Sequence, residues 1–386
     1  MATAFEALDL AERVGDLVRI PSVNPEQTGP KSNSDGERSL ASWLAERTAD
    51  MGADVTVDDV VDGRCNVYAT FPGKTERSLC VDVHLDTVGV EHMTNDPFDG
   101  RIEDGRVYGR GSVDTKATLA LALAAIEEIH ADGQQPGPTI TVVGTISEEA
   151  GGLIGAAGHR DWLLAQGRKF DRMIVAEPTI CRPVHGHKGG LGLEVTVLGH
   201  AAHSSKPHLG KNAISGAARI ITAIDAENER LAAVGGATAM GPGTISVNEV
   251  GGGLARNIIP DCCTLYAGRR TAPGEDSAAI HLELEELIRQ AAAPLLTEIE
   301  LINGSTSDAF YTNPDSGLVR DLCELTAAIP ELATYGTNAL RYGEVAYEIV
   351  VFGPGNIDQA HQAVEWVDIS ELAKAADVYR RMFRAS

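Results

Sequence analysis

The fold class follows from four successive segments: SLCVDVHL (78–85), YGRGSVDTK (108–116), ATLALALAAIEEI (117–129) and TITVVGTI (139–146). The first and last segments are short apolar runs of the kind that form buried strands, and the third is an apolar run of helical length. A glycine-rich turn leads into the helix. The order strand, helix, strand is typical of a β-α-β unit, whose two strands run parallel in one sheet.

Further segments of the same kind flank this stretch. One apolar run precedes it, CNVYATF (65–71), and two follow it, DRMIVAEP (171–178) and YEIVVFGPG (347–355). A last helix is predicted from about Ile369 to Phe383. Strands that are apolar throughout indicate a sheet covered on both faces. We therefore predict an α/β domain with a mixed, mostly parallel sheet.

The middle of the chain follows a different pattern. Segments that alternate with period two, such as LGLEVTVLG (191–199) and TEIELI (297–302), predict strands with one apolar face. Two helical segments and two further strands lie between them, so the predicted order is β-α-β-β-α-β, the ferredoxin-like arrangement. We therefore expect an inserted domain at residues 183–303, whereas residues 1–182 and 304–386 form the α/β domain.

Composition limits the partners of this chain. Its 386 residues include 32 lysines and arginines against 55 aspartates and glutamates, a formal net charge of −23 at pH 7. A field of this sign repels phosphate backbones, so nucleic acids and anionic membrane surfaces are not expected as partners. No apolar run approaches the about 20 residues of a membrane helix, and the six cysteines form no C-x-x-C pair. These features, with an N-terminus unlike a secretory signal, predict a cytoplasmic protein.

Histidine, aspartate and glutamate, which are common metal ligands, occur just after apolar segments at five places in the sequence. In open α/β sheets ligands bind at the carboxyl ends of the strands, so we expect these side chains to converge there. Taken one by one, each also has an ordinary explanation, such as a helix cap, a solvated turn or a satisfied histidine. As a set they supply imidazole and carboxylate groups without a thiolate, from His84, Asp86, Asp114, Glu148, Glu149, Glu177 and His361.

Spacing within the set separates ligands from supporting groups. Residues i and i+2 of a strand point the same way, so Asp86 is expected beside His84. There its carboxylate can accept the free imidazole N–H and aim the other nitrogen at a metal. Glu148 and Glu149 are adjacent, which favours one as a ligand and the other as a proton shuttle. Three ligand carboxylates and two imidazoles can hold two divalent ions if one carboxylate bridges them.

Eight motifs share one order along nearly the whole chain. They are LVRIPSVNP (17–25), VDVHLDTV (81–88), DGRVYGRGSVDTKATLA (104–120), TISEEAGG (145–152), VAEPT (175–179), GHAAHSSKPHLGKNAI (199–214), GGGLARNIIPD (251–261) and FGPGNIDQAHQAVEWVDI (352–369). This set resembles the zinc-dependent M20-type peptidase and deacylase family. That family includes acetylornithine deacetylase, succinyl-diaminopimelate desuccinylase, aminoacylase and the carboxypeptidase G2-like enzymes. One departure is Ala117, where many members have glycine.

The resemblance implies a cofactor of two divalent metal ions per chain, zinc or else cobalt or manganese. It places His84, Asp114 and Glu177 on one ion. It places Asp114, Glu149 and His361 on the other, so that Asp114 is the bridging ligand.

The resemblance also implies catalytic and substrate-binding roles. Glu148 is the implied general base and acid, and Asp86 is the group that orients His84. His203 lies in the inserted domain, which resembles the family's lid or dimerisation domain, and is implied to stabilise the oxyanion in the partner subunit's site. A substrate carboxylate needs a cation or backbone N–H donors. The candidates for this role are Arg256, Arg269, Arg270, Arg341 and the loop that ends at Gly355. The resemblance implies that Asn257 and Arg269, with Arg270 as the alternative, contact the substrate.

The implied reaction is hydrolysis of a linear amide bond by a homodimer. The leading expectation is removal of an acyl group from an N-acyl-L-amino acid, as in acetylornithine deacetylase, by a metal-bridging hydroxide with Glu148 moving the proton. Desuccinylase, aminoacylase and carboxypeptidase or dipeptidase activities stay open as alternatives. Two hypotheses from other classes are a phosphate-binding loop at GRGSVD (109–114) and a metal-free relative that only binds ligands. The missing third glycine argues against the first, and the complete ligand set argues against the second.

Overall fold

The computed structural model describes residues 7–150 and 152–385, and these form two compact units. The chain builds the first unit up to His185, passes through the second unit and returns to the first at Thr312. The second unit comprises Gly186–Tyr311 and the short segment Ala333–Gly336. No helix in the described part of the chain is both long enough and apolar enough to cross a membrane.

A mixed sheet, called the main sheet below, is the centre of the first unit. Four of its strands run parallel, and two further strands join them antiparallel at one edge. The prediction of an α/β fold with a mostly parallel sheet is therefore confirmed. In spatial order these six strands are Asp54–Val61, Arg64–Phe71, Thr139–Thr145, Ser78–His84, Phe170–Val175 and Ala346–Val351. Short strands lie at Ile102–Glu103, Arg106–Tyr108, Val184–His187, Phe310–Tyr311, Glu331–Ala333 and Trp366–Asp368.

Helices cover the main sheet, which is why its central strands are apolar along their whole length. All residues of Ser78–His84 except the first are buried. The helix Lys116–Ala131 is buried at all but three of its 16 residues, because it packs between the sheet and the last helix of the chain. The helices of the first unit are Ala7–Val18, Arg38–Asp50, Lys116–Ala131, Ile154–Ala165, Gly317–Thr326 and Ile369–Arg384. Single turns of 3₁₀ helix in the chain are Pro25–Gln27, Pro207–Leu209, Ile302–Gly304, Asn338–Arg341 and Ile357–Gln359.

The parallel direction of these strands brings several loops to one edge of the main sheet. His84 ends one strand, and Glu148 follows the neighbouring strand Thr139–Thr145 by three residues. Glu177 follows a third strand by two residues. Since all of these positions are at carboxyl ends, the fold places the predicted ligands on one side of the sheet.

The second unit is an antiparallel sheet with two helices. In spatial order its strands are Thr244–Gly252, Cys262–Thr271, Gly189–Leu198 and Leu296–Leu301, and its helices are Ala213–Val234 and Ser277–Ala292. Along the chain these elements follow the order strand, helix, strand, strand, helix, strand. Two short strands, Ala202–His203 and Ile258–Ile259, pair beside them. Alternate side chains of the sheet, such as Leu193, Val195 and Val197, form a core with the helices.

The second unit begins and ends later than the predicted 183–303. Its longer segment runs to Tyr311, because Phe310 and Tyr311 pair with His187 and Gly186 as a short antiparallel ladder. The strand Phe310–Tyr311 is only two residues long, so no alternating pattern marks it in the sequence.

Candidate metal centre and active site

An imidazole and a carboxylate meet at the end of the main sheet. The His84 Nε2 atom lies 3.0 Å from Asp114 Oδ1, and both side chains are buried. His84 Nδ1 donates to the backbone carbonyl of Asp86 at 2.9 Å. Burial disfavours a charged ring, but the hydrogen bond to Asp114 raises the pKa of His84 well above its usual value, so the ring holds a proton toward the carboxylate. A metal ion that replaced this proton would have the Nε2 lone pair and the Asp114 oxygen as two ligands.

A second imidazole joins the same carboxylate. His361 has a φ of 63°, a left-handed conformation uncommon in residues other than glycine. Its Nε2 atom lies 3.3 Å from Asp114 Oδ2 and 2.9 Å from Glu149 Oε2. Asp114 thus directs one oxygen at His84 and the other at His361, as a carboxylate that bridges two ions does.

Glu148 and Glu177 lie close to His84. One ligand atom each from His84, Glu148 and Glu177 lies within 4.8 Å of the others, and the same holds for His84, Asp114 and Glu149. The structure therefore brings together the five predicted ligands and Glu148, although they come from five separate segments.

The pKa values of these groups reflect an excess of negative charge. Loss of hydration raises the pKa of Glu148, and nearby carboxylates raise it further. Burial and the charge of Asp114 raise the pKa of Glu149 to about 7 and that of Glu177 well above its usual value. Hydrogen bonds to Asp114 and Glu149 raise the pKa of His361 to about 10. A cluster that holds on to protons in this way favours a bound cation.

The donor set fits divalent metal ions. Imidazole nitrogens and carboxylate oxygens without thiolate suit Zn²⁺, Co²⁺ and Mn²⁺. A cation can take the place of the proton between His84 and Asp114, and it offsets the negative charge of the crowded carboxylates around them. The residues present therefore fit the ions that the resemblance implies.

The turn that presents Glu148 is held by a buried ion pair. Ser147 has a φ of 62°, a conformation that costs about 1–3 kcal/mol outside glycine. Its backbone N–H donates to Glu37 Oε1 at 3.2 Å, and Arg64 donates to its hydroxyl at 3.0 Å. Glu37 is fully buried and pairs with Arg64 through both carboxylate oxygens. These contacts keep the strained turn, and with it Glu148, in place.

Asp86 supports the site in a different way from the one predicted. Its Oδ1 atom lies 3.7 Å from His84 Nδ1, beyond hydrogen-bond distance, because its own backbone carbonyl accepts that N–H. The carboxylate instead accepts the backbone N–H groups of Glu148 and Glu149, each at 3.0 Å. The carbonyl of Asp86 therefore orients the imidazole, and its side chain orients the two glutamates.

His203 and Asn257 lie together in the second unit. His203 pairs with Ile258 across two short strands, and the N–H of Ser204 donates to the carbonyl of Asn257 at 2.9 Å. The His203 ring is exposed, and its Nδ1 accepts the backbone N–H of Ser205 at 3.1 Å. The proton of the neutral ring is therefore on Nε2, which is an exposed donor.

Two of the predicted substrate-binding residues, Arg269 and Gly355, are buried and make contacts within the protein itself. Arg269 is buried and its guanidinium pairs with Glu275 at 2.7 Å, whereas Arg270 is exposed. Gly355 is also buried. A Cβ atom on it would lie 2.2 Å from Val113 Cγ2, and its φ is 83°, so packing against the loop of Asp114 requires glycine here. Of the two arginines the accessible one is Arg270, and Gly355 has a packing role.

Sequence reasoning missed two buried charged residues of the site. Glu365 Oε1 accepts the N–H groups of Val113 at 3.1 Å and Asp114 at 3.4 Å. Its other oxygen pairs with Arg110, and both side chains are almost completely buried. The one signal for them was their place in the motifs that also carry Asp114 and His361.

A family comparison agrees with this geometry. The model of the peptidase family M20/M25/M40 matches residues 80–385. The chain belongs to this family. As an M20-family protein it is a hydrolase of the peptidase and amidohydrolase type.

Relatives of this M20-family hydrolase are similar along most of the chain. An acetylornithine deacetylase from Myxococcus xanthus is 33% identical over 337 residues, which cover 84% of this chain and 85% of the relative. A succinyl-diaminopimelate desuccinylase from Dinoroseobacter shibae is 29% identical over 386 residues, which cover 96% and 97%. The two relatives have names that differ in the acyl group.

A solved structure with the same fold is the aminopeptidase PepT from Bacillus cereus. Its TM-score to this hydrolase is 0.77, and the match covers 99% of both chains. The sequences are 19% identical, so the likeness concerns the fold alone.

Proposed function

We propose that this M20-family hydrolase removes the acyl group from an N-acyl-L-amino acid, with N-acetylornithine as the leading substrate. The observation that carries the proposal is a convergence of six side chains at the carboxyl edge of the main sheet: His84, Asp114, Glu148, Glu149, Glu177 and His361. The name of the Myxococcus relative supports an acetyl group. The name of the Dinoroseobacter relative supports a succinyl group as the second candidate.

Two divalent metal ions are the proposed cofactor. His84, Asp114 and Glu177 would hold one ion, and Asp114, Glu149 and His361 the other. When bound, such ions polarise an amide carbonyl and lower the pKa of water. Zinc is the leading candidate, and the donor set also fits cobalt and manganese.

Glu148 is the proposed general base and acid. Its carboxylate lies close to His84 and Glu177 but belongs to neither proposed ligand set. The hydrogen bond from its backbone N–H to Asp86 keeps the residue at the site. From there it takes a proton from the attacking water and passes it to the nitrogen of the leaving amine.

The second unit is proposed as a lid and dimerisation domain of a homodimer. Its strand Thr244–Gly252 is at the edge of the sheet, and unpaired edges are places where strands of other chains can add. Val250 on this strand is 59% exposed, and Leu254 just after it is 85% exposed. Such apolar exposure supports a covered surface in the assembly.

We further propose that His203 acts on the site of the partner subunit. Its exposed Nε2–H donor suits the negative oxygen that develops on the acyl carbon. Asn257 lies beside it and is proposed to contact the substrate, and Arg270 is proposed to bind the substrate carboxylate. A cytoplasmic location is proposed too, because all six cysteines are free thiols.

A substrate panel tests the function. The protein, loaded separately with Zn²⁺, Co²⁺ or Mn²⁺, is incubated with N-acetyl and N-succinyl amino acids and with dipeptides, and the released amine is measured. We expect N-acetylornithine to be hydrolysed, and Glu148→Gln to lower kcat by about 10²–10⁴-fold while the ions stay bound. A preference for N-succinyl-diaminopimelate would establish the second candidate instead. A metal-loaded protein that hydrolyses none of the panel contradicts the proposal.

A further inference from the structure

A segment near the N-terminus contacts the glutamates of the site. Asn24 is fully buried, and its Nδ2 donates to Asp86 Oδ2 at 2.8 Å. The same oxygen accepts the backbone N–H of Glu149, and the other carboxylate oxygen accepts that of Glu148. Asn24 therefore orients the Asp86 carboxylate, which in turn accepts the backbone N–H groups of both glutamates.

Gln27 contacts the backbone of Glu149 at its carbonyl group. Its Nε2 donates to the backbone carbonyl of Glu149 at 3.0 Å, while its Oε1 accepts the N–H of Gly89 at 3.0 Å. Glu149 is thus held at its N–H through Asp86 and at its carbonyl by Gln27.

The orientation of each amide is fixed by partners of opposite polarity. Asn24 Oδ1 accepts the N–H of Glu26 at 3.0 Å, so Nδ2 must face Asp86. In Gln27 the N–H of Gly89 faces Oε1 and the carbonyl of Glu149 faces Nε2, so the side-chain amide can have only one orientation. The backbone of Asn24 is itself anchored, because its N–H donates to the carbonyl of Thr87 at 2.8 Å.

We propose that Asn24 and Gln27 are positioning residues for Glu148 and Glu149. The inference rests on the proposed function, because it gives those glutamates their tasks. Groups that orient metal ligands typically contribute about 10–100-fold to metal affinity or activity. The side-chain amides set where the glutamate backbone lies, and this decides where the two carboxylates point.

Two near-isosteric variants test the proposal. Asn24→Asp keeps an oxygen for the N–H of Glu26 but replaces the donor with a second carboxylate facing Asp86. Gln27→Glu keeps an oxygen for the N–H of Gly89 but removes the donor to Glu149. We expect each variant to weaken binding of Zn²⁺, titrated calorimetrically into the metal-free protein, by about tenfold or more. With a hydrolysed substrate, we expect kcat to fall by a similar factor while KM changes little.

The controls separate positioning from simple folding. Gln135→Ala removes an amide from an exposed position and should leave metal affinity and kcat unchanged. If Asn24 only capped its short turn, Asn24→Asp would bind Zn²⁺ like the wild type, and this result overturns the proposal for Asn24. Should Asn24→Asp fail to fold, wild-type metal affinity in Gln27→Glu is the overturning result. The metal titration needs no substrate, so it decides the inference even if the proposed activity is not found.

Discussion

Glu365 accepts a hydrogen bond from the backbone N–H of Asp114 at 3.4 Å, although 251 positions separate the two residues in the chain. The same carboxylate pairs with the buried guanidinium of Arg110. Since Glu365 follows His361 by four residues, the pair links the segment that carries Asp114 to the segment that carries His361. The spacing of a carboxylate and an imidazole that face one proposed ion therefore depends on a buried ion pair.

Replacement of Glu365 by glutamine tests this link. The variant keeps an oxygen for the N–H of Asp114 but leaves the charge of Arg110 buried and unpaired. Removing one partner of a buried pair costs about 3–5 kcal/mol. We expect the free energy of unfolding, measured with urea, to fall by about this amount, and the affinity for Zn²⁺ to fall by about tenfold.

Glu128→Gln is the matched control for this variant. Glu128 is also buried and pairs with Arg380 at 2.5 Å, and it lies near the C-terminal end of the helix Lys116–Ala131, whereas Asp114 precedes the start of this helix. We expect it to lower stability without changing metal affinity. Equal metal affinity in Glu365→Gln and the wild type would show that the Arg110 pair only stabilises the fold.

Mixing two inactive variants tests whether His203 acts on the partner's site. His203→Ala should lower kcat by about 10²–10³-fold, because the oxyanion loses a donor. Glu148→Gln should be inactive through loss of the proton carrier. When the two variants are refolded together at equal amounts, one site in each mixed dimer has both groups. We then expect about a quarter of the wild-type activity to return.

The same experiment has a clear opposing result. If His203 served the site of its own subunit, no mixed dimer would contain a complete site. Activity would then stay at the level of the separate variants. Size-exclusion chromatography with light scattering provides the control, because both variants must form dimers like the wild type.

His159 predicts a pH dependence of stability. It is fully buried among the rings of Tyr68, Phe170 and Tyr342. Burial, and then the charge of Arg168, lower its pKa from 6.5 to about 3. Below pH 6.5 the unfolded chain binds a proton that the folded chain does not. Above this pH the histidine adds no proton-linked cost to folding, and at lower pH the free energy of unfolding falls progressively until the pH reaches about 3.

The measurement compares urea unfolding at about pH 5 and about pH 7.5. Linkage predicts that the histidine costs the wild type about 2 kcal/mol at the lower pH. His159→Phe, which retains a ring in the cluster, should lose this share of the pH dependence. If both proteins lose the same stability on acidification, His159 is not the responsible group.

The sequence predicts those parts of the fold and site that depend on local patterns. Apolar strands with ligand residues at their carboxyl ends predict the convergence of His84, Glu148 and Glu177, because these strands run parallel and end on one side of the sheet. The alternating segments of the middle region likewise predict its strands. A period of two or a continuous apolar run is visible without any knowledge of distant partners.

Contacts between distant segments are what the sequence does not contain. The prediction for Asp86 followed the strand period, but the backbone carbonyl takes the His84 proton, and the carboxylate is left for the glutamates. Arg269 and Arg270 could not be told apart until Glu275 was seen to pair with the first. Asn24 looks like an ordinary turn residue until the fold places it beside Asp86.

Hydrolysis by this protein is expected to depend on a pair of divalent ions bound in one pocket. Native mass spectrometry of chelator-treated protein that has been equilibrated with Zn²⁺, with activity followed in parallel, tests this dependence. We expect about two ions per chain, activity that returns only with the ions, and loss of both ions in Asp114→Ala because this residue faces both imidazoles. A chain that is fully active without metal, or an Asp114→Ala variant that still binds two ions, would contradict it.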